Sequence, residues 1–113
     1  MLYSKKNKYH NQKIVLNGIQ FDSKKEAARY QELVLLQRAG EISDLRRQVK
    51  FVLIPRFGDE RAVVYYADFC YTEGGANIVE DVKSAATKKD KAYILKRKLL
   101  KYLFRNIVFR EID

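Results

Sequence analysis

A chain of 113 residues is long enough for one domain around one core, and a hydrophobic content of 47% argues for a packed fold rather than disorder. No apolar run approaches the ~18 residues of a membrane span, and a single cysteine, Cys70, excludes an internal disulfide and any cysteine-rich zinc site. The 23 Lys and Arg against 14 Asp and Glu give a formal charge of +9, which predicts a polyanionic partner, nucleic acid first and an acidic membrane surface second.

Residues 1–12 read as a flexible basic arm holding Lys5, Lys6 and Lys8. They lack the apolar stretch of a secretory leader, so a cytoplasmic location is expected. A single domain is expected over residues 13–113. Its first signal is Asn17-Gly18 between Ile14-Val15-Leu16 and Ile19-Gln20-Phe21, which predicts a hairpin because both turn residues tolerate positive φ. Ser23 and Glu26 are spaced as a capping box. The helix they open runs to about Ala39, with Ala27, Tyr30, Leu33, Val34 and Leu36 on one broad face, and Gly40 supplies the left-handed stop. Strands follow at residues 47–54, 62–71 and 78–84, the last two joined by a loop containing Gly74-Gly75.

Thr87 and Asp90 are spaced as a second capping box and predict a helix to about Arg105. Its buried stripe would be Ala92, Leu95, Leu99, Tyr102 and Leu103. This segment is also basic: Lys88, Lys89, Lys91, Lys96, Arg97, Lys98, Lys101 and Arg105 stand against Asp90 alone. Residues 107–109 form a last strand. The order of hairpin, helix, three strands, helix and strand predicts an α/β fold, with a mixed central sheet flanked by two main helices and preceded by an N-terminal hairpin.

The stretch with the most chemistry is Val79-Glu80-Asp81-Val82-Lys83, together with Asp68 on the preceding strand. Side chains alternate across a strand, so Val79, Asp81 and Lys83 share one face while Ile78, Glu80 and Val82 share the other. Asp81 therefore belongs with Lys83, and Glu80 does not. If the two strands pair through the glycine loop, Asp68 and Asp81 approach each other across the ladder. Carboxylates forced together repel unless a cation or proton lies between them, and hard oxygen ligands suit Mg²⁺ or Mn²⁺. Such an ion would bind a phosphate oxygen and lower the pKa of a water, with Lys83 positioning the water or neutralising developing charge. The residues alone equally allow a solvent-facing Asp–Lys pair, or an Asp that caps a turn.

Asp68, a turn, then Asp81-Val82-Lys83 resembles the signature of the PD-(D/E)XK nuclease superfamily. The ordered set of Lys13-Ile14-Val15, Gly18-Ile19-Gln20-Phe21-Asp22-Ser23-Lys24-Lys25-Glu26-Ala27, Glu32-Leu33, Gly40-Glu41-Ile42, Tyr66-Ala67-Asp68-Phe69 and Val79-Glu80-Asp81-Val82-Lys83 is similar, more closely, to small uncharacterised phage and prophage proteins assigned to that superfamily. The resemblance implies a restriction-endonuclease-like fold and a metal-dependent endodeoxyribonuclease, with Mg²⁺ or Mn²⁺ as cofactor. Asp68 and Asp81 would be metal ligands and Lys83 the superfamily lysine. Glu26 would be a third acid from the first helix, as in resolvase-like members, and the Val82 backbone carbonyl a further ligand. Glu26 has a competing role as the capping-box glutamate, and Ala67 stands where some members have proline. Lys5, Lys6, Lys8, Lys89, Lys96 and Arg97 would hold DNA phosphates. A homodimer acting on branched DNA such as a Holliday junction, within phage recombination, is the implied setting. The alternative is a DNA-binding protein that uses the same basic surfaces without cutting. Tyr65, Tyr66, Tyr71 and Tyr93 are candidates for base stacking or for plain packing.

Overall fold

In a computed structural model, which describes residues 13–113, Asn17 and Gly18 both take positive φ, 52° and 79°. They close a two-residue turn between β1 (Ile14–Leu16) and β2 (Ile19–Phe21), which pair antiparallel. The arm expected at residues 1–12, with Lys5, Lys6 and Lys8, lies outside the described residues.

Helix α1 (Lys24–Arg38) begins as its sequence directs: Ser23 is extended, and its hydroxyl accepts from the Glu26 N–H at 3.1 Å. At the other end Gly40 has φ 80°. The Glu41 N–H donates to Leu36 O and the Gly40 N–H to Gln37 O, each at 3.0 Å, which closes the helix as a Schellman motif. The main sheet has the order β3-β4-β5-β6, formed by Ser43–Ile54, Val63–Glu73, Ala76–Val82 and Ile107–Ile112. The first two pairings are antiparallel and β5–β6 is parallel. Gly74 and Gly75, with φ of 56° and 82°, turn the chain between Glu73 and Ala76. The loop between β4 and β5 is thus shorter than expected, because two glycines suffice for a primed turn.

Around β5 and the adjoining part of β4 the sheet is covered on both faces. Leu33 of α1 packs with Ile42, Phe69, Tyr71 and Ile78 on one side. Tyr93 and Leu100 pack with Cys70, Val79, Tyr65 and Leu53 on the other. The parallel β5–β6 pairing needs a crossover, and two helices supply it instead of the single expected one: α2 (Ala85–Lys88) and α3 (Lys91–Leu103). Ser84, not Thr87, caps the first of these, accepting from the Thr87 N–H at 3.2 Å. Asp90 is the N-cap of α3, accepting from the N–H groups of Ala92 and Tyr93.

The buried stripe expected on α3 is also corrected. Leu95, Tyr102 and Leu103 are exposed, 59%, 64% and 46%, whereas Tyr93 and Leu100 are buried. Ala92 is exposed and Leu99 is only partly covered. The helix carries two apolar stripes about one residue apart, and periodicity does not rank them. Tyr93 breaks the tie: its ring lies 6.4 Å from Tyr65, and its hydroxyl donates to Glu111 on β6.

Candidate active site

The β4–β5 ladder extends from Glu73 opposite Ala76 to Phe69 opposite Glu80. The next step of that register brings Asp68 opposite Asp81, and there side chains replace the backbone ladder. The Asp68 N–H donates to Asp81 Oδ1 and the Val82 N–H donates to Asp68 Oδ2, both at 2.9 Å. The two carboxylates therefore sit in the fork where the strands part, each held by a backbone donor of the opposite strand.

Asp81 is fully buried, and its Oδ2 has no hydrogen-bond partner. Burial pushes its pKa up to about 6, against the pull of Lys83 and of the Asp68 N–H. Burial likewise raises Asp68, opposed by Lys83 and by the Val82 N–H. Lys83 lies just beyond β5; its N–H donates to Ile112 O at 2.9 Å. Its Nζ is 3.9 Å from Asp81 Oδ1 and 5.1 Å from the centre of the Tyr93 ring. Strand alternation thus paired the right acid with the lysine. Glu80 turns to the opposite face, fully buried, where the Arg29 guanidinium donates to its two oxygens at 2.6 and 2.9 Å and the Tyr71 hydroxyl donates at 2.5 Å.

Glu26 divides its carboxylate between two tasks. Oε1 accepts from the Asp22 N–H at 3.1 Å, completing a cap at the start of α1. Oε2 accepts from Gln48 Nε2 at 3.1 Å, and the same nitrogen lies 3.3 Å from Asp68 Oδ1. One oxygen of Glu26 thus serves the helix start and the other reaches, through Gln48, towards Asp68. Burial, then the charge of Asp68, push the Glu26 pKa up to about 7. The bridging residue Gln48 carries no sequence signal: a polar residue in a strand is unremarked. Its backbone is unusual, with φ 50° in mid-strand, a left-handed conformation that bulky residues rarely hold without support from their surroundings. At this point β3 changes the face it shows. Val49, Phe51 and Leu53 pack on the α3 side, whereas the Arg47 guanidinium lies 4.4 Å from the Phe21 ring centre, beside α1. Gln20, Asp22, Glu26, Arg47 and Gln48 line a cavity of about 220 Å³ next to the fork.

Among the described residues, no three His, Cys, Asp or Glu side chains stand close enough together to share one ion. Asp68 and Asp81 meet through each other's strand backbone, and Glu26 reaches Asp68 through Gln48. The donor set still fits a hard divalent cation. It is all oxygen, it includes a buried carboxylate oxygen without a partner, and burial disfavours ionisation of all three acids unless positive charge is added. A fourth carboxylate, Glu111, lies opposite Asp81 in the parallel register. It is taken by the Tyr93 hydroxyl and by Arg97 Nη1, the latter at 3.0 Å.

The expected phosphate-binding side chains separate. Lys89 is exposed at the end of α2 and Lys96 is half-buried on α3. Arg97 is committed to Glu111 and to the Tyr93 ring, 5.6 Å away. Cys70 is buried, and burial pushes its thiol up to about 11, far from a reactive thiolate.

Fold and site together define a mixed α/β domain with a carboxylate pair held in an open strand fork. Over residues 6–112 the chain belongs to a family described as a protein of unknown function, DUF1064. No curated protein and no solved structure matches it.

Proposed function

We propose that this protein is a divalent-metal-dependent endodeoxyribonuclease of the PD-(D/E)XK superfamily, hydrolysing DNA phosphodiester bonds, with branched DNA of phage recombination as its substrate class. The observation that carries the reading is the meeting of Asp68 and Asp81 at the strand fork, with Asp81 Oδ2 buried and unpartnered and Lys83 Nζ 3.9 Å from Oδ1. Asp68 and Asp81, with the Val82 carbonyl, would hold Mg²⁺ or Mn²⁺, and Glu26 would act on them through Gln48 rather than as a third ligand. When bound, the ion supplies positive charge against the phosphate oxygens and favours ionisation of water. Lys83 orients the attacking water and offsets charge on the phosphate. Gln48 keeps Glu26 and Asp68 in register with each other. Lys89 and Lys96, with Lys5, Lys6 and Lys8, hold the backbone, while Arg97 is engaged by Glu111. A symmetric dimer would present two such sites to the two strands. No described helix is long and apolar enough to cross a membrane. The host cytoplasm is the location that goes with this proposed function.

A second reading, a DNA-binding protein that does not cut, is favoured by one observation: Asp68 and Asp81 already accept backbone N–H groups and so serve as fork caps. Incubation with supercoiled and four-way-junction DNA in Mg²⁺ or Mn²⁺ separates the two. Nicking is expected from the wild type and not from Asp81→Ala, with DNA binding retained. Binding without cutting, across metals and substrates, supports the second reading; no salt-sensitive binding at all removes both.

A further inference from the structure

Four tyrosines were candidates for stacking on bases, and the structure sorts them. Tyr65, Tyr71 and Tyr93 are buried, while Tyr66 is 52% exposed. Tyr66 stands on β4 two residues from Asp68, and its cross-strand partner on β3 is Lys50. The odd-numbered neighbours Val49, Phe51, Leu53, Val63, Tyr65 and Ala67 pack on the α3 side. The intervening residues of the hairpin, Lys50, Val52, Ile54 and Tyr66, are exposed on the other face. That bare face begins at Gln48 and Asp68 and runs away from them along the strands.

We infer that this face binds unpaired nucleotides of a nucleic-acid strand next to the acid site, with a base stacked on Tyr66 and a phosphate held by Lys50. The inference rests on the nuclease reading for what happens at the acids, but the surface stands on its own geometry. An aromatic ring exposed beside a lysine is the pairing by which proteins hold single strands, the ring taking a base face and the cation the backbone. Tyr66 and Asp68 are one two-residue step apart along the strand, about 7 Å, so the stacked base would adjoin the phosphate at the carboxylates. Val52, 46% exposed, extends the apolar platform along the same face. Duplex DNA keeps its bases stacked on one another and offers Tyr66 no free base, so the surface selects substrates with unpaired bases: flaps, overhangs and opened junctions.

Fluorescence anisotropy in EDTA tests binding apart from cutting, using the full chain with a blunt duplex and with the same duplex bearing a single-stranded extension. The wild type should bind the extended DNA at least tenfold more tightly. Tyr66→Ala should lose about tenfold on the extended DNA and nothing on the duplex, and Tyr66→Phe should restore binding. Unchanged melting of both variants shows that the fold is intact. Equal losses on both DNAs, or none on either, overturn the inference, as does a change in oligomeric state on Tyr66→Ala, which would make the face an interface between copies. Wild-type nicking with a silent Tyr66→Ala leaves the nuclease standing and this surface refuted. Normal selectivity without nicking does the reverse.

Discussion

Asp81→Asn is expected to abolish cleavage and yet raise the melting temperature of the metal-free protein at pH 8. Both outcomes have one cause. The folded protein holds the Asp81 pKa at about 6, against an ordinary 3.8, because the carboxylate is buried. A carboxylate whose folded pKa is raised favours the folded state while protonated. That contribution is full below 3.8 and is lost as pH rises through about 6. At 1.36 kcal/mol per pH unit, the wild type gives up roughly 2–3 kcal/mol at this position by pH 8. Asparagine keeps an oxygen to accept the Asp68 N–H and carries no charge to bury, but it leaves Lys83 without its partner. The net gain is therefore about 1–2 kcal/mol, or roughly 5–10 °C for a domain of this size. At pH 3.5 the gain should vanish. Calorimetry at both pH values checks this, and a lower melting temperature at pH 8 would refute the account. Glu26, with its pKa at about 7, adds a loss of the same sign as pH rises from 4.5 through 7. Added Mn²⁺ should return the deficit to the wild type and not to the variant.

Arg29→Ala is expected to be the most damaging single change to the fold, at about 3–5 kcal/mol, read from urea unfolding. Arg29 closes the side of Glu80, which is fully buried. Without the guanidinium, that carboxylate keeps only the Tyr71 hydroxyl, which is itself engaged by Arg110 at 3.2 Å. Removing one partner of a buried ion pair leaves an uncompensated charge, which costs far more than the pair contributes. The double change Arg29→Leu with Glu80→Leu should recover most of the loss. A single-variant cost below 1 kcal/mol would show that water reaches Glu80. The pair also ties α1 to β5 one turn from Glu26, so the damage should reach the acid site as well.

Much of this was legible because local rules and tertiary structure agree. Asn17-Gly18, Ser23 with Glu26, Gly40 and Gly74-Gly75 each fix a turn or an end through their own backbone preferences, and each does so in the fold. Strand alternation separated Asp81 from Glu80 for the same reason: a period of two leaves no choice of face. What stayed hidden depends on neighbours distant in sequence. Two apolar stripes on α3 were equivalent until Tyr93 met Tyr65 and Glu111. Glu80 reads as one more acid until Arg29, 51 residues away, is seen to receive it. Gln48 matters only because a left-handed mid-strand residue sets its amide between Glu26 and Asp68.

The two-glycine turn between β4 and β5 has a consequence for the order of assembly. It makes the Asp68–Asp81 encounter, thirteen residues apart, one of the shortest loop closures in the sheet. Arg29 must find Glu80 across 51 residues, and β6 must return to β5 around two helices. Closure entropy grows with loop length, so the fork should form first, while its acids are still wet and their repulsion is screened by water. Burial, and the pKa shifts that come with it, would arrive last. Pulse-labelling hydrogen exchange during refolding should then protect the β4–β5 amides before those that join β5 to β6; the reverse order would mean that the helices nucleate the sheet.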